Sequence, residues 1–418
     1  MNIAVISYHT CPLATLGGKD TGGMNVYVRD LSRFLGLLDV HVDVFTRSQD
    51  EHVPHILHDL GCGNRVVHVP AGPEIPCPKN SLQDYIPEFT EGIIQFTQSK
   101  GIRYDLIHSH YWLSGLAGKE LKSMWGIPLI QMFHTLALLK NQIAMNDHEK
   151  EGEYRITGEK EVIASSDRIV ASTINEKEQL INLYNTPQEK IEIIPPGVDI
   201  SRFYPIPPDE AKDFLNITHG EKMLLFVGRI ERLKGIDTLI KSIAQMRKSD
   251  VLSECPHYLY IIGGDPDEKN EDIDNELNRL RNLCEELGVG DLIIFSGKKN
   301  QDTLQYYYSA AEIVVMPSNY ESFGMVALEA MACGTPVIAT QVGGLQHLVK
   351  DGVTGFTIPH NNPDALEEKI SLLICNSNLR EQLKQNCVDY ARTYAWEMIT
   401  SKIVNLYRSM IQSSGGKV

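Results

Sequence analysis

Residues 313–330 read Ile313-Val314-Val315-Met316-Pro317-Ser318-Asn319-Tyr320-Glu321-Ser322-Phe323-Gly324-Met325-Val326-Ala327-Leu328-Glu329-Ala330. The four apolar residues at 313–316 are those of a buried strand, and a helix is expected to begin near Gly324. A wholly apolar strand that feeds a helix through a short loop is the repeating unit of a parallel sheet covered on both faces. The turn also carries chemistry. Free N–H groups at a helix start form an anion site, and Gly324 lets a phosphate approach the backbone of Met325 and Val326. Two glutamates, Glu321 and Glu329, bracket the turn. Carboxylates cannot favour the phosphate, but they accept hydrogen bonds from sugar hydroxyls. An anion cradle with hydroxyl acceptors suits a nucleotide sugar. The alternative is an ordinary amphipathic helix with two solvated glutamates.

Outward from this stretch, short apolar runs alternate with helical ones along the chain. Strands are expected at 3–7, 42–45, 66–69, 106–108, 129–133, 169–171 and 191–194, with helices such as 25–35, 87–99 and 175–183 between them. The segment Pro195-Pro196-Gly197-Val198-Asp199, followed by Pro205, Pro207 and Pro208, breaks both periodicities. The pattern restarts at 223–227 and continues through 258–262, 292–295, 313–316, 337–339 and 355–358, with helices from 363 to about 411. At 418 residues the chain is too long for one typical core. The fold class is therefore α/β, with two Rossmann-like, doubly wound domains, 1–197 and 198–397. Such domains are expected to face across a cleft, with ligands beyond the carboxyl ends of the strands.

Composition removes several classes. Thirty-nine basic against 54 acidic side chains give a net charge of −15, which argues against nucleic acid and against simple electrostatic docking on anionic lipid. No apolar run approaches the length of an integral membrane segment. The run at 3–6 follows Met1-Asn2 directly and reads as a first strand, not as a signal peptide. The eight cysteines are scattered and include no C-x-x-C pair, which suits reduced thiols and a cytoplasmic location.

Two further loops follow strands. Residues 17–25, Gly17-Gly18-Lys19-Asp20-Thr21-Gly22-Gly23-Met24-Asn25, are glycine-rich but fit neither G-x-G-x-x-G nor a Walker loop. Gly22, Gly23 and Asn25 are candidates for touching a donor phosphate or sugar; a plain connector is the alternative. In Gly228-Arg229-Ile230-Glu231-Arg232-Leu233-Lys234-Gly235, Arg229 offers a fork for phosphate oxygens and Lys234 a point charge. A surface basic pair is the alternative there. His108 and His110 share one face of a strand, so metal ligation is conceivable, but no third ligand is visible. The acidic pairs Asp265/Asp267 and Asp272/Asp274 read as an exposed loop.

Gly-Arg-x(4)-Lys-Gly at 228–235, with Glu-Ser-Phe-Gly-x(4)-Glu-Ala at 321–330, resembles family 4 of the retaining glycosyltransferases. The resemblance implies the GT-B architecture and no required cofactor or metal. It also implies a helix at about 398–412 that crosses back to the first domain, and a possible homodimer. By the same resemblance Arg229, Lys234, Glu321 and His134 belong to catalysis, His134 beside the donor sugar. Gly22, Gly23, Asn25, Gly324, Met325, Val326 and Glu329 would hold a UDP-sugar.

Gly22 to Tyr27, His108 to Gly115 and His134 to Ala137 are similar to a narrower group that moves N-acetylglucosamine from UDP to inositol phosphate. Its phosphate grip matches Lys79, Tyr111, Thr135 and Arg155. A group acting on fructose 6-phosphate shares the layout. Two cations and two hydroxyls also make a phosphate pocket on chemical grounds. Arg155 by itself, in the charged run 149–161, reads as part of a solvated helix face. The expected reaction is a retaining hexosyl transfer from a nucleotide sugar to a small phosphorylated acceptor. Glu321 as a covalent nucleophile is the alternative to direct transfer. A non-catalytic binder of sugar nucleotides is the reading from another class.

Overall fold

The computed structural model describes residues 1–14, 21–144, 150–249, 257–264 and 271–415. The chain forms two compact units. The first comprises Met1–Ala14, Gly23–Gly197 and Trp396–Val418, the second Thr15–Gly22 and Val198–Ala395.

The sheet of the first unit contains β1 (Asn2–Ile6), β2 (His41–Arg47), β3 (Ile56–Leu57), β4 (Arg65–Val69), β5 (Leu106–His110), β6 (Leu129–Met132), β7 (Arg168–Ala171) and β8 (Ile191–Ile193). Their order is β3-β4-β2-β1-β5-β6-β7-β8. Every pairing is parallel except β3 with β4. β3 is two residues long and at the sheet edge, so no apolar run announces it. β5 runs two residues past the expected end and takes in His110. The central strands are buried along their whole length, as in sheets covered by helices on both faces. The helix Trp396–Ser413 completes this unit. Its Trp396, Ile399, Ile403 and Tyr407 follow helical spacing and join the core formed by β1, β2 and the helix Gly23–Gly36.

Among the described residues the second unit has six parallel strands: β9 (Lys222–Val227), β10 (His257–Ile262), β11 (Ile293–Gly297), β12 (Ile313–Met316), β13 (Val337–Thr340) and β14 (Gly355–Ile358). Their order is β11-β10-β9-β12-β13-β14. Alternate residues divide between two cores. Met223, Leu225, Val314 and Met316 enter one. Leu224, Phe226, Ile313 and Val315 enter the other. This is the period-2 signature of a strand covered on both sides.

In each sheet the strand order reverses beside its first strand, between β1 and β5 and between β9 and β12. Loops leaving the carboxyl ends of two such strands diverge, and the gap between them is where open α/β sheets take ligands. The candidate residues fall largely on these loops and on the loop after β6.

Candidate functional site

In the second unit the loops after β9 and β12 are tied together. Asn319 N–H donates to the Leu233 carbonyl at 2.8 Å. Gly235 has φ +64°, and a Cβ there would lie 2.1 Å from the Pro317 carbonyl oxygen, so only glycine permits this approach. The approach brings Lys234 to Glu321: its Nζ donates to Oε2 at 2.5 Å. Arg229 lies at the surface with its side chain 46% exposed and pairs with Glu231 at 3.0 Å.

Gly324 caps the helix Met325–Ala332 with φ +109°. The first intrahelical bond there is from Leu328 N–H to the Gly324 carbonyl, so the N–H groups of Met325 and Val326 precede the helical ladder. Glu329, one turn on, is buried and accepts from the Tyr308 hydroxyl at 2.8 Å. Glu321 and Glu329 thus differ. The first is half-buried on a lysine, and the second is held inside by a tyrosine. The reading of both as solvated glutamates does not hold.

In the first unit Arg155 overturns the expectation from local charge. It is 1% exposed and not on a solvated face. Its Nε donates to Glu159 at 2.9 Å, its Nη1 to Glu151 at 2.7 Å, and its Nη2 to the Thr135 hydroxyl and carbonyl at 3.0 and 3.1 Å. The guanidinium carbon lies 5.0 Å from the centre of the Tyr111 ring. Tyr111 itself stands between β5 and the helix Trp112–Trp125 with φ +75°, a rare conformation for an aromatic residue. Its N–H donates to the Met132 carbonyl at 2.8 Å, and its carbonyl accepts from Gln131 Nε2 at 3.1 Å. Lys79 opens the helix Lys79–Leu82, where the neighbouring Asn80 accepts from the Tyr154 hydroxyl at 2.6 Å. That bond ties the lysine's helix to the helix that carries Arg155. Lys79, Tyr111, Thr135 and Arg155 therefore gather in one unit, Lys79 close enough for its charge to act on Glu151.

Three further supporting residues carry no sequence motif. Glu159 is wholly buried, accepts from Ala137 N–H and the Tyr184 hydroxyl, and is pushed up by burial against the pull of Arg155. Lys140 pairs with Glu151. Arg47, buried at the end of β2, donates to the carbonyls of Ala71 and Ile75 at 2.9 and 3.0 Å, and to that of Pro73. It thereby shapes the loop that leads to Lys79. The i, i+4 spacing of Glu151, Arg155 and Glu159 was the one available signal for the buried network.

His134 follows β6 with φ +61°. Its Nε2 is 3.0 Å from His110 Nδ1, and His108 Nδ1 is 2.7 Å from the Tyr407 hydroxyl. Although His134 keeps some surface in solvent, its ring is enclosed by Tyr27 and His110. Burial pulls His134 down to about 3. Burial, with the charge of His134, does the same to His108, and His110 is held well below the ordinary range. All three are neutral imidazoles at pH 7. Among the described residues no group of three ligating side chains is placed to hold a metal. Asp265 and Asp267 lie outside the described residues, and Asp272 and Asp274 fall in the helix Glu271–Glu286, not in a loop.

Asn25 is buried, and its amide donates to the Thr10 hydroxyl at 2.7 Å and the Cys11 carbonyl at 2.8 Å. It fastens the start of the helix Gly23–Gly36 to the loop after β1. Gly22 and Gly23 stand at the entry to that helix, while Gly17 and Gly18 lie outside the described residues. The seven described cysteines are free thiols.

Two parallel-sheet α/β units, each with candidate polar residues gathered beyond its strand ends, are the architecture of GT-B glycosyltransferases. The chain belongs to glycosyltransferase family 4. Residues 21–202 match the family model described as Glycosyltransferase Family 4, and residues 208–388 match that of the group 1 glycosyl transferases. The chain is 37% identical over 408 residues to a D-inositol 3-phosphate glycosyltransferase of Nocardiopsis dassonvillei, covering 97% of this chain and 94% of that one. It is 37% identical over 415 residues to another in Catenulispora acidiphila, covering 99% and 97%. Among solved structures, a sucrose-phosphate synthase from Thermosynechococcus elongatus superposes with a TM-score of 0.89 at 33% identity, covering 99% of both chains. No helix among the described residues is long and apolar enough to cross a membrane.

Proposed function

We propose that this glycosyltransferase moves a hexosyl group, N-acetylglucosamine or glucose, from a UDP-sugar to a small phosphorylated acceptor, inositol phosphate first, with retention at the anomeric carbon. The observation that carries the reading is the gathering of Lys79, Tyr111, Thr135 and Arg155 in the first unit. Cations and hydroxyls together are what a phosphate monoester needs. The names of the two relatives support inositol phosphate. In the second unit Arg229, Lys234 and the helix start at Gly324 would meet the diphosphate, and Glu329 the ribose. Their charges oppose the negative charge that grows as the diphosphate departs.

The bond from C1 to the departing phosphate oxygen breaks, and the acceptor oxygen bonds C1 on the same face. The acceptor's proton passes to the phosphate oxygen. Glu321 is already bonded to Lys234, which suits a role in positioning better than one as nucleophile. A second reading, glucose transfer to fructose 6-phosphate, is favoured by the likeness to the sucrose-phosphate synthase.

The test is UDP release from UDP-N-acetylglucosamine or UDP-glucose with inositol phosphate, with fructose 6-phosphate, and with no acceptor. Release that depends on inositol phosphate is expected. Release only with fructose 6-phosphate establishes the second reading and removes the first.

A further inference from the structure

Glu151 is not one of the four residues assigned to the acceptor's phosphate, yet its carboxylate stands among their charges. One oxygen, Oε1, accepts from both Arg155 Nη1 and Lys140 Nζ. The carboxylate is delivered there by a clamp on its own backbone: Glu151 N–H donates to Asn141 Oδ1 at 2.6 Å, and Asn141 Nδ2 donates to the Glu151 carbonyl at 3.1 Å. Burial alone would raise this carboxyl. Arg155, Lys140 and Lys79 together hold it below its ordinary range, so three cations act on one carboxylate. The side chain is 19% exposed, against 2% for Arg155, so the carboxylate is on the open side of the pair.

We propose that Glu151 is an internal anion that occupies the phosphate grip until the phosphoryl dianion of an acceptor displaces it, and that it thereby rejects uncharged and singly charged acceptors. The inference rests on the phosphorylated-acceptor reading above. An incoming group must replace two charge-assisted hydrogen bonds before it gains anything. A neutral hydroxyl falls short, a monoanion breaks even, and only a dianion comes out ahead. The selectivity thus comes from an element that opposes the wrong ligand as well as from cations that attract the right one.

The test uses the full chain, its E151Q variant and an E151A variant. The probes are methyl phosphate, a dianion at about pH 8, and methyl sulfate, a monoanion, titrated calorimetrically. The wild type is expected to bind methyl phosphate and not methyl sulfate. In E151Q methyl phosphate should bind about tenfold tighter, and methyl sulfate binding should appear. Unchanged or weaker methyl phosphate binding in both variants overturns the inference, because Glu151 would then be a bystander or a brace for Arg155. Melting curves identify a variant that fails to fold, and the other variant then decides.

Turnover separates this inference from the reading beneath it. A wild type that transfers to inositol phosphate while E151Q binds methyl phosphate more weakly sinks the displacement alone. A wild type that transfers to no phosphorylated acceptor, while E151Q binds methyl phosphate more tightly, sinks the acceptor reading and leaves the competition standing.

Discussion

Each unit has an arginine that we propose for phosphate binding, and the two are held in opposite ways. Arg155 in the first unit is enclosed, with its Nε, Nη1 and Nη2 all bonded. Arg229 in the second is nearly half exposed and has Glu231 as a partner. A buried ion pair is costly to assemble and costlier to break, since a surviving charge has no water. A surface pair contributes little and leaves its members free to move. The first unit therefore fixes its arginine through side chains, at the risk of the fold. The second fixes its loops through backbone contacts, such as Gly235 against Pro317, and leaves its arginine at the surface.

The largest expected effect follows. R155M strands Glu159 in a buried site and takes one of its two cationic hydrogen-bond partners from Glu151. It should cost about 3 kcal/mol or more, about 10 °C in the melting of the first unit, and should abolish acceptor-dependent UDP release. R229M should leave melting within about 1 °C but lower kcat about 100-fold, if this cation meets the growing charge of the diphosphate. Calorimetric melting and steady-state kinetics on both variants check the pair. Equal melting shifts would break the comparison.

That contrast was only half legible in the sequence. Apolar runs and their breaks located thirteen of the fourteen strands among the described residues because burial in a parallel sheet imposes a continuous pattern. The loop motifs at 228–235 and 321–330 were visible because close backbone approach demands glycine at fixed positions. What stayed hidden is tertiary. Residues 149–161 look like solvated charge, since nothing local says that Arg155 turns inward to meet Thr135, 20 positions away. Arg47 and Tyr184 are silent for the same reason: their partners lie 24 to 46 residues off. Tyr111 and His134 have positive φ without being glycine, so no composition rule marks them.

The first unit's buried polar groups also predict a response to acid. His108 titrates near 3 in the folded unit and near about 6.5 in the unfolded chain, so across that window the unfolded chain binds more protons. Its contribution to stability is complete above about pH 6.5 and declines as the pH falls toward 3. Glu159 and Glu176, pushed up by burial, have the opposite sign: they favour folding at low pH and lose that contribution as the pH rises past the usual carboxylate range. Comparing wild type with H108Q cancels those carboxyls. Glutamine can keep the bond to the Tyr407 hydroxyl but takes no proton. Between pH 7 and pH 5 the wild type should lose about 2 kcal/mol more than H108Q, read from denaturant unfolding at each pH. Parallel losses in the two proteins would mean that His108 is not buried neutral.

The smallest effect tests the open side of the comparison. Glu231 is to Arg229 what Glu159 is to Arg155, a carboxylate partner at hydrogen-bonding distance. Their surroundings differ, and so should the consequence of neutralising them. Water and salt screen the exposed pair, which contributes at most a few-fold to any equilibrium. E231Q should leave melting unchanged and lower KM for the UDP-sugar no more than about threefold, because an arginine released from its partner meets the diphosphate slightly more readily. The change should shrink as salt is raised, since screening already weakens the pair in the wild type. A tenfold fall in kcat, or a lower melting temperature, would show that Arg229 depends on its carboxylate as closely as Arg155 does. The distinction between an arginine held by buried side chains and one left exposed beside backbone-tied loops would then have to be given up.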